Sequence, residues 1–260
     1  MSAKIEFREL SVATRENRLL LDSVSVTLAE GSTTAVLGRS GSGKTTLLRT
    51  VNRMIEPTNG AVLVNGEDVR RLDPISLRRG IGYVIQEAGL FPHFTVERNV
   101  GIVLEAMGGA SQDRLHRANE LLTSVGLDPA TFGKRFPYQL SGGQRQRVSV
   151  ARALAADPGI LLMDEPFGAL DPLTRAEMQD MLRSLLGQLQ KTALLVTHDL
   201  DEALYLADRI LLIDEGRLLA NLTPEEFMRS QKPEIETYVQ AYHRGETRTG
   251  PITASQERPK

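Results

Sequence analysis

The sequence predicts an α/β fold with a helical subdomain inserted into it. Three observations carry this expectation. Apolar runs of strand length alternate with helical stretches along most of the chain. One such strand ends at a glycine-rich loop that opens a helix. Between about Thr95 and Leu154 the strand signals stop while helical periodicity continues.

Residues 5–10 and 24–28 alternate apolar and polar side chains, as half-buried strands do. Residues 33–37 form a short strand, and the helix after its glycine loop starts near Lys44. Asn65-Gly66 closes a further strand as a turn. Residues 81–85 make a strand ending at Gln86. Leu115, Ala118, Leu122 and Val125 fall on one face of a helix, with Gly126 as its stop signal. Strands return at residues 160–163, 192–196 and 209–213. Thr223-Pro224-Glu225-Glu226 starts a helix, with proline in the first position and a capping-box glutamate. From Arg244 onward the chain is polar and aperiodic, which predicts a disordered tail over 244–260. The expected organisation is an α/β core from 1–86 and 156–243, with a helical subdomain at 87–155.

Bulk properties narrow the function. With 260 residues the chain can bury a sizeable core. Its formal net charge of -2 gives no basic excess for phosphate neutralisation, so no nucleic-acid partner is expected. Cysteine is absent, which excludes disulfides and thiolate metal sites. No run approaches the ~20 apolar residues of a membrane helix. The opening MSAKIEFREL lacks the apolar core of a secretory signal. A membrane role therefore needs a partner.

Gly38-Arg39-Ser40-Gly41-Ser42-Gly43-Lys44-Thr45 fits the phosphate-loop pattern G-x-x-x-x-G-K-[ST]. The glycines let backbone N–H groups turn inward around phosphate oxygens, and the following helix presents its positive end. Lys44 would reach the β- and γ-phosphates, Thr45 would bind Mg²⁺, and Thr46 would support the α-phosphate end. On this motif alone, kinases, GTPases and transport ATPases all remain open. Residues 160–163 lead into Asp164-Glu165, a carboxylate pair at a strand end. Asp164 is suited to holding Mg²⁺. Glu165, pointing the other way by strand alternation, is suited to taking a proton from an attacking water. His198 follows another apolar strand and could position the γ-phosphate and the water.

Leu140-Ser141-Gly142-Gly143-Gln144 opens a helix whose apolar face is Val148, Ala151 and Leu154. Its N–H groups and positive dipole end make a second anion site. One triphosphate does not obviously need two such sites from one chain, whereas a site shared between two chains explains the duplication.

At this point the chain resembles the ATPase subunits of ABC transporters, from residue 4 to about 230. The matching motifs are the phosphate loop, Gln86 as the Q-loop residue, LSGGQ as the signature, ILLMDEP, Ala169-Leu170-Asp171 as the D-loop and His198 as the switch histidine. The resemblance implies a P-loop NTPase core of the ABC type, with a mixed sheet and an inserted helical subdomain. It implies ATP and Mg²⁺ as ligands, with Glu165, His198 and Gln86 catalytic and Thr45, Gln86 and Asp164 at the metal. It also implies a head-to-tail dimer, in which ATP lies between the phosphate loop of one copy and Ser141, Gly142, Gly143 and Gln144 of the other. Asp171 would link the two sites. Transmembrane permease subunits, indirectly a substrate-binding protein, and the cytoplasmic face of the cell membrane are the implied setting.

The stretch GYVIQEAGLFPHFTVERNV, with IEPT, LDP and AADPGI, is similar to importers of quaternary-amine osmoprotectants such as glycine betaine, choline, carnitine and proline. Two departures stand out. The family places an adenine-stacking aromatic about 23 residues before the phosphate loop, whereas this chain has Ala13-Thr14-Arg15-Glu16-Asn17, leaving Arg15 or Arg18 to stack instead. Many osmoprotectant ATPases also carry tandem C-terminal CBS domains. The chain ends at Lys260, so regulation by that route is not expected. Leu90-Phe91-Pro92-His93-Phe94 reads either as a helix-entry staple or as an anchor for a permease helix.

Overall fold

A computed structural model describes residues 3–248. The chain begins with an antiparallel pair, β1 (Ile5–Ala13) and β2 (Leu19–Leu28), both longer than their alternation suggests. Thr14 closes their connection, its N–H donating to the Arg18 carbonyl and its hydroxyl accepting from the Arg18 N–H. Then follow β3 (Thr33–Leu37), α1 (Lys44–Val51), β4 (Asn59–Val64), β5 (Glu67–Asp68), α2 (Pro74–Arg79) and β6 (Ile81–Val84). Four helices intervene before the next strand: α3 (Val96–Ala106), α4 (Ser111–Ser124), α5 (Pro129–Phe132) and α6 (Gly142–Ala153). The last part runs through β7 (Ile160–Asp164), α7 (Pro172–Leu189), β8 (Thr192–Thr197) and α8 (Leu200–Leu206). It ends with β9 (Arg209–Asp214), β10 (Arg217–Leu222), α9 (Pro224–Met228) and α10 (Pro233–Arg248).

The strands form two sheets. An antiparallel sheet has the order β2-β1-β4-β5, and a mixed sheet has the order β10-β9-β3-β8-β7-β6. In the second sheet β9, β3, β8, β7 and β6 are parallel neighbours, and β10 adds an antiparallel edge. Strands β3, β7 and β8 are buried at every position. That explains their unbroken apolar runs, since a parallel strand covered on both faces has no side to leave polar. Helix α1 packs against both sheets, touching β2 and β4 on one side and β7 and β8 on the other. Leu47, Leu48 and Val51 are its fully buried contribution to that core.

A second core joins the helical segment to the mixed sheet through Val100, Leu122, Val148, Leu154 and Met163. Here one expectation needs correction. Leu115 does not share the buried face of α4: it stays 42% exposed, and Leu121 is buried instead beside Ala118 and Leu122. The first turn of α4 overhangs an open cavity lined also by Arg98, Glu105 and Arg114, so Leu115 meets no core. A third core, around Phe227 and Ile235, seats α9 and α10 on α8 and β9. Strand β10 carries no signal in the sequence, because its Leu218, Leu219 and Ala220 lack alternation. The expected tail is also corrected: α10 runs on through Arg244 to Arg248. Ile235, Tyr238 and Val239 anchor its start at helical spacing, and propagation beyond an anchored start adds one hydrogen bond per residue. The remainder of that tail, 249–260, lies outside the described residues.

Candidate active site

The phosphate-loop residues join β3 to α1 at the carboxyl edge of the parallel strands, where open α/β sheets bind ligands. Gly43 is the N-cap of α1 with φ 106°, a conformation that favours glycine. A Cβ there would stand 2.6 Å from the Leu20 carbonyl, so β2 and the loop approach too closely for any side chain. A Cβ on Gly38 would meet the Ile213 carbonyl at 2.2 Å. No side chain caps α1, so its first N–H groups are left for a ligand. The Ser42 hydroxyl is buried without a partner among the described residues. Arg39, Ser40 and Gly41 are exposed, and Thr46 is half-buried on the first turn of α1.

Lys44 folds back over the loop and donates to the Gly38 and Arg39 carbonyls, both at 2.9 Å. Burial lowers its pKa, and the nearby Glu165 and Asp164 carboxylates push it back up. The Thr45 hydroxyl donates to Asp164 Oδ1 at 2.8 Å. These two groups, predicted from stretches far apart in sequence, therefore meet. The oxygen donors of Thr45 and Asp164 fit Mg²⁺, which takes one or two protein oxygens and completes its shell with phosphates and water. No group of three or more His, Asp or Glu among the described residues makes a dedicated metal cage.

Glu165 lies just beyond β7 in the left-handed region, with φ 46°. This reversal, and not the expected strand alternation, redirects its side chain. Its N–H still donates to the Val196 carbonyl, which holds it beside the end of β8. Glu165 Oε2 lies 3.3 Å from His198 Nδ1. Gln86 reaches the same place: a Cβ on Gly168 would be 3.3 Å from Gln86 Nε2 and 3.7 Å from Glu165 Oε2. The loop after Gln86 is tied to α6. Arg152 donates to the Ala88 and Gly89 carbonyls at 2.7 Å, and Gln146 donates to the Ile85 carbonyl at 3.3 Å.

Ser141, Gly142, Gly143 and Gln144 do not join this cluster. Ser141 caps α6, accepting from the Gln144 N–H at 3.2 Å, while the Gln144 side chain accepts from the Ser141 N–H at 3.0 Å. Helix α6 packs on β6, three strand positions from β3. At ~4.8 Å per strand that is roughly 14 Å. Gly143 abuts the start of α7, where a Cβ would stand 2.3 Å from Thr174 Cγ2. Asp171, the N-cap of α7, accepts from the Thr174 N–H at 3.1 Å, and hydrogen bonding from the Thr174 side chain, then from its backbone, holds the Asp171 carboxyl below the usual carboxylate range.

Sequence reasoning missed Arg49 and Tyr83, which approach the other oxygen of Asp164 at 3.5 and 3.3 Å. Arg49 was within reach of pattern reading, because it stands four residues after Thr45 on the same helix face. Tyr83 had no signal, because its contact depends on β6 pairing with β7.

The match to a model of the ABC transporter family covers residues 21–168. The glycine betaine uptake system ATP-binding protein YehX of Escherichia coli is 44% identical over 85% of this chain and 71% of that protein. The glycine betaine/carnitine/choline transport ATP-binding protein OpuCA of Bacillus subtilis is 42% identical, covering 90% of this chain. The osmoprotectant import ATP-binding protein OsmV of Salmonella typhimurium is 47% identical, covering 80% of it. The chain spans only 62% and 54% of the length of the last two. Among solved structures, the dimeric bacterial ABC transporter cassette MJ0796 superposes with a TM-score of 0.76 at 33% identity, over 85% of this chain and 98% of that one. Fold, motif order and these likenesses agree: the chain belongs to the ABC transporter ATP-binding family.

Proposed function

We propose that the chain is the ATP-hydrolysing subunit of an ABC importer for quaternary-amine osmoprotectants. The observation that carries the chemistry is the convergence of Lys44, Thr45, Asp164, Glu165 and His198 at one edge of the parallel sheet. The substrate class rests on relatives named for glycine betaine, carnitine and choline.

The loop N–H groups and Lys44 bind the phosphates, Lys44 exchanging its two carbonyl partners for phosphate oxygens. Thr45 and Asp164 would hold Mg²⁺, which would supply positive charge to the β- and γ-phosphates. Glu165 takes a proton from water as the water oxygen bonds to the γ-phosphorus and the bond to the ADP oxygen breaks. His198, beside Glu165, orients that carboxylate and the water, and Gln86 completes the polar wall. Two copies arranged head to tail bring Ser141–Gln144 of each to the phosphate loop of the other, with Asp171 between the two sites. Steady-state ATP turnover by the purified chain, with and without Mg²⁺, tests the core of this reading. Turnover equal to that of Lys44→Ala would reject it.

The membrane link runs through a permease at the cytoplasmic face. No helix among the described residues is long and apolar enough to cross a membrane. The loop after Gln86 offers a docking anchor. Phe91 is 43% exposed and lies against Phe94, over which Arg98 stacks. Buried Asn99 fixes the loop by donating to the Phe91 and Phe94 carbonyls, both at 3.1 Å. Phe91→Ala is expected to leave the stability of the subunit within about 1 kcal/mol of wild type and its ATPase rate unchanged, because the residue is already 43% exposed and its ring packs on His93 and Phe94 of its own loop. Transport by the reconstituted complex should fall sharply. Parallel loss of melting temperature and ATPase activity would instead mark the loop as a packing staple.

The adenine side of the site follows from the turn that Thr14 closes. It holds no aromatic, so base stacking falls to an arginine, and stacking tolerates any base. ATP and GTP should therefore compete with affinities within roughly tenfold, since an exposed cation–π contact is worth only ~0.5–1 kcal/mol. A several-hundred-fold preference in a competition assay would mean that another group reads adenine.

A further inference from the structure

Glu202 is a buried carboxyl, 5% exposed, on the first turn of α8, and no step above uses it. It lies directly behind the loop that carries His198. The Thr197 hydroxyl donates to Glu202 Oε2 at 2.5 Å. The same hydroxyl accepts from the Asp199 N–H at 3.0 Å. Residues 197 and 199, on either side of His198, are therefore joined through one hydroxyl that the Glu202 carboxyl holds. Asp199 is held further by Arg175 of α7 at 3.6 Å, and its own carboxylate accepts from the Asp201 N–H. His198, by contrast, is exposed, and Glu165 is the side chain it meets at 3.3 Å among the described residues. Its position must come from the backbone that flanks it.

We propose that Glu202 is a positioning residue for hydrolysis, holding His198 against Glu165 by clamping Thr197. This rests on the reading of Glu165 and His198 as the hydrolytic pair. A buried carboxyl is expensive to keep, and an apolar residue on α8 would pack more cheaply. The clamp gives the group a use. Burial, with Asp199 nearby, pushes the Glu202 carboxyl up to about 7 against the hydrogen bond from Thr197. Asp199, Arg175 and His198 are the charged and titratable groups acting on it. Its protonation therefore changes near neutral pH, beside the catalytic pair. Ionised, it accepts the Thr197 hydroxyl as a charge-assisted bond, which tightens the clamp.

Steady-state kinetics on the full chain test this with Glu202→Ala, Glu202→Gln and Thr197→Val. Glu202→Ala should lower kcat roughly 10- to 100-fold, the scale of a misplaced catalytic group, with KM for ATP nearly unchanged. Glu202→Gln keeps an acceptor for Thr197 and should recover most of the loss. Its kcat should also rise less steeply with pH through about 7 than that of wild type, because the amide does not titrate and the clamp no longer tightens on ionisation. Thr197→Val cuts the same clamp from its other end, so the double variant should be no slower than the slower single one. Equal kcat in Glu202→Ala and wild type, additive losses in the double variant, or a Glu202→Gln enzyme as slow as Glu202→Ala would each overturn the proposal. Should wild type itself fail to turn over ATP, the hydrolytic reading fails first, which is a different result.

Discussion

Glu165→Gln is expected to lower ATP turnover by about 10²- to 10⁴-fold, the usual worth of a general base, while ATP still binds. The substitution keeps the size of the side chain and its oxygen beside His198, but it removes the group able to accept a proton. Nothing in the phosphate loop changes, since Lys44 is held by the Gly38 and Arg39 carbonyls and Thr45 by Asp164. The amide also adapts to its surroundings, because His198 Nδ1, 3.3 Å from Glu165 Oε2, is close enough to meet its oxygen. The left-handed backbone at residue 165 is no more strained for glutamine than for glutamate. Binding of a fluorescent ATP analogue at wild-type affinity, with phosphate release near background, is the expected pair of results. A dimer that persists in ATP and falls apart in ADP should accompany them. Phosphate release at the wild-type rate would remove Glu165 from the reaction.

Much of this site was legible in the sequence because each part is local. A glycine loop between an apolar strand and a helix is written in consecutive residues, as are Asp164 and Glu165 at the end of ILLMD. The order of the parallel strands then brings the separate parts together, and β7 and β8 are direct neighbours. The contacts that could not be read depend on tertiary register. Tyr83 reaches Asp164 only because β6 pairs with β7, and Glu202 reaches Thr197 only through the turn that enters α8. Glu165 shows a different limit. Alternation gave a plausible orientation, but the strand stops one residue earlier and a left-handed residue takes over. The exposed Leu115 shows a third, since helical spacing finds a face but not the point at which the core ends.

Ser141→Arg is the second large effect, and it bears on the proposed site shared between two copies. Within one chain the signature is remote from the phosphate loop, separated by the breadth of three strands. Its Ser141 and Gly142 are exposed, and the first turn of α6 presents its positive end outward. An arginine at 141 puts bulk and charge where the γ-phosphate held by a second copy would sit. The isolated subunit should bind ATP as wild type does, because no phosphate-loop contact involves residue 141. ATP-driven dimerisation and turnover should both fall to background. The substitution also removes the helix cap, since Ser141 accepts from the Gln144 N–H, and losing such a cap costs ~0.5–2 kcal/mol. Ser141→Ala provides the control, removing the cap without adding bulk. It should share the modest loss of melting temperature but keep far more turnover. If Ser141→Arg abolished ATP binding by the lone subunit, the signature would belong to the site of its own chain and the head-to-tail arrangement would be wrong. If Ser141→Ala were as inactive as Ser141→Arg while remaining folded, the hydroxyl itself would be the phosphate contact, and the steric explanation would give way to a hydrogen-bonding one.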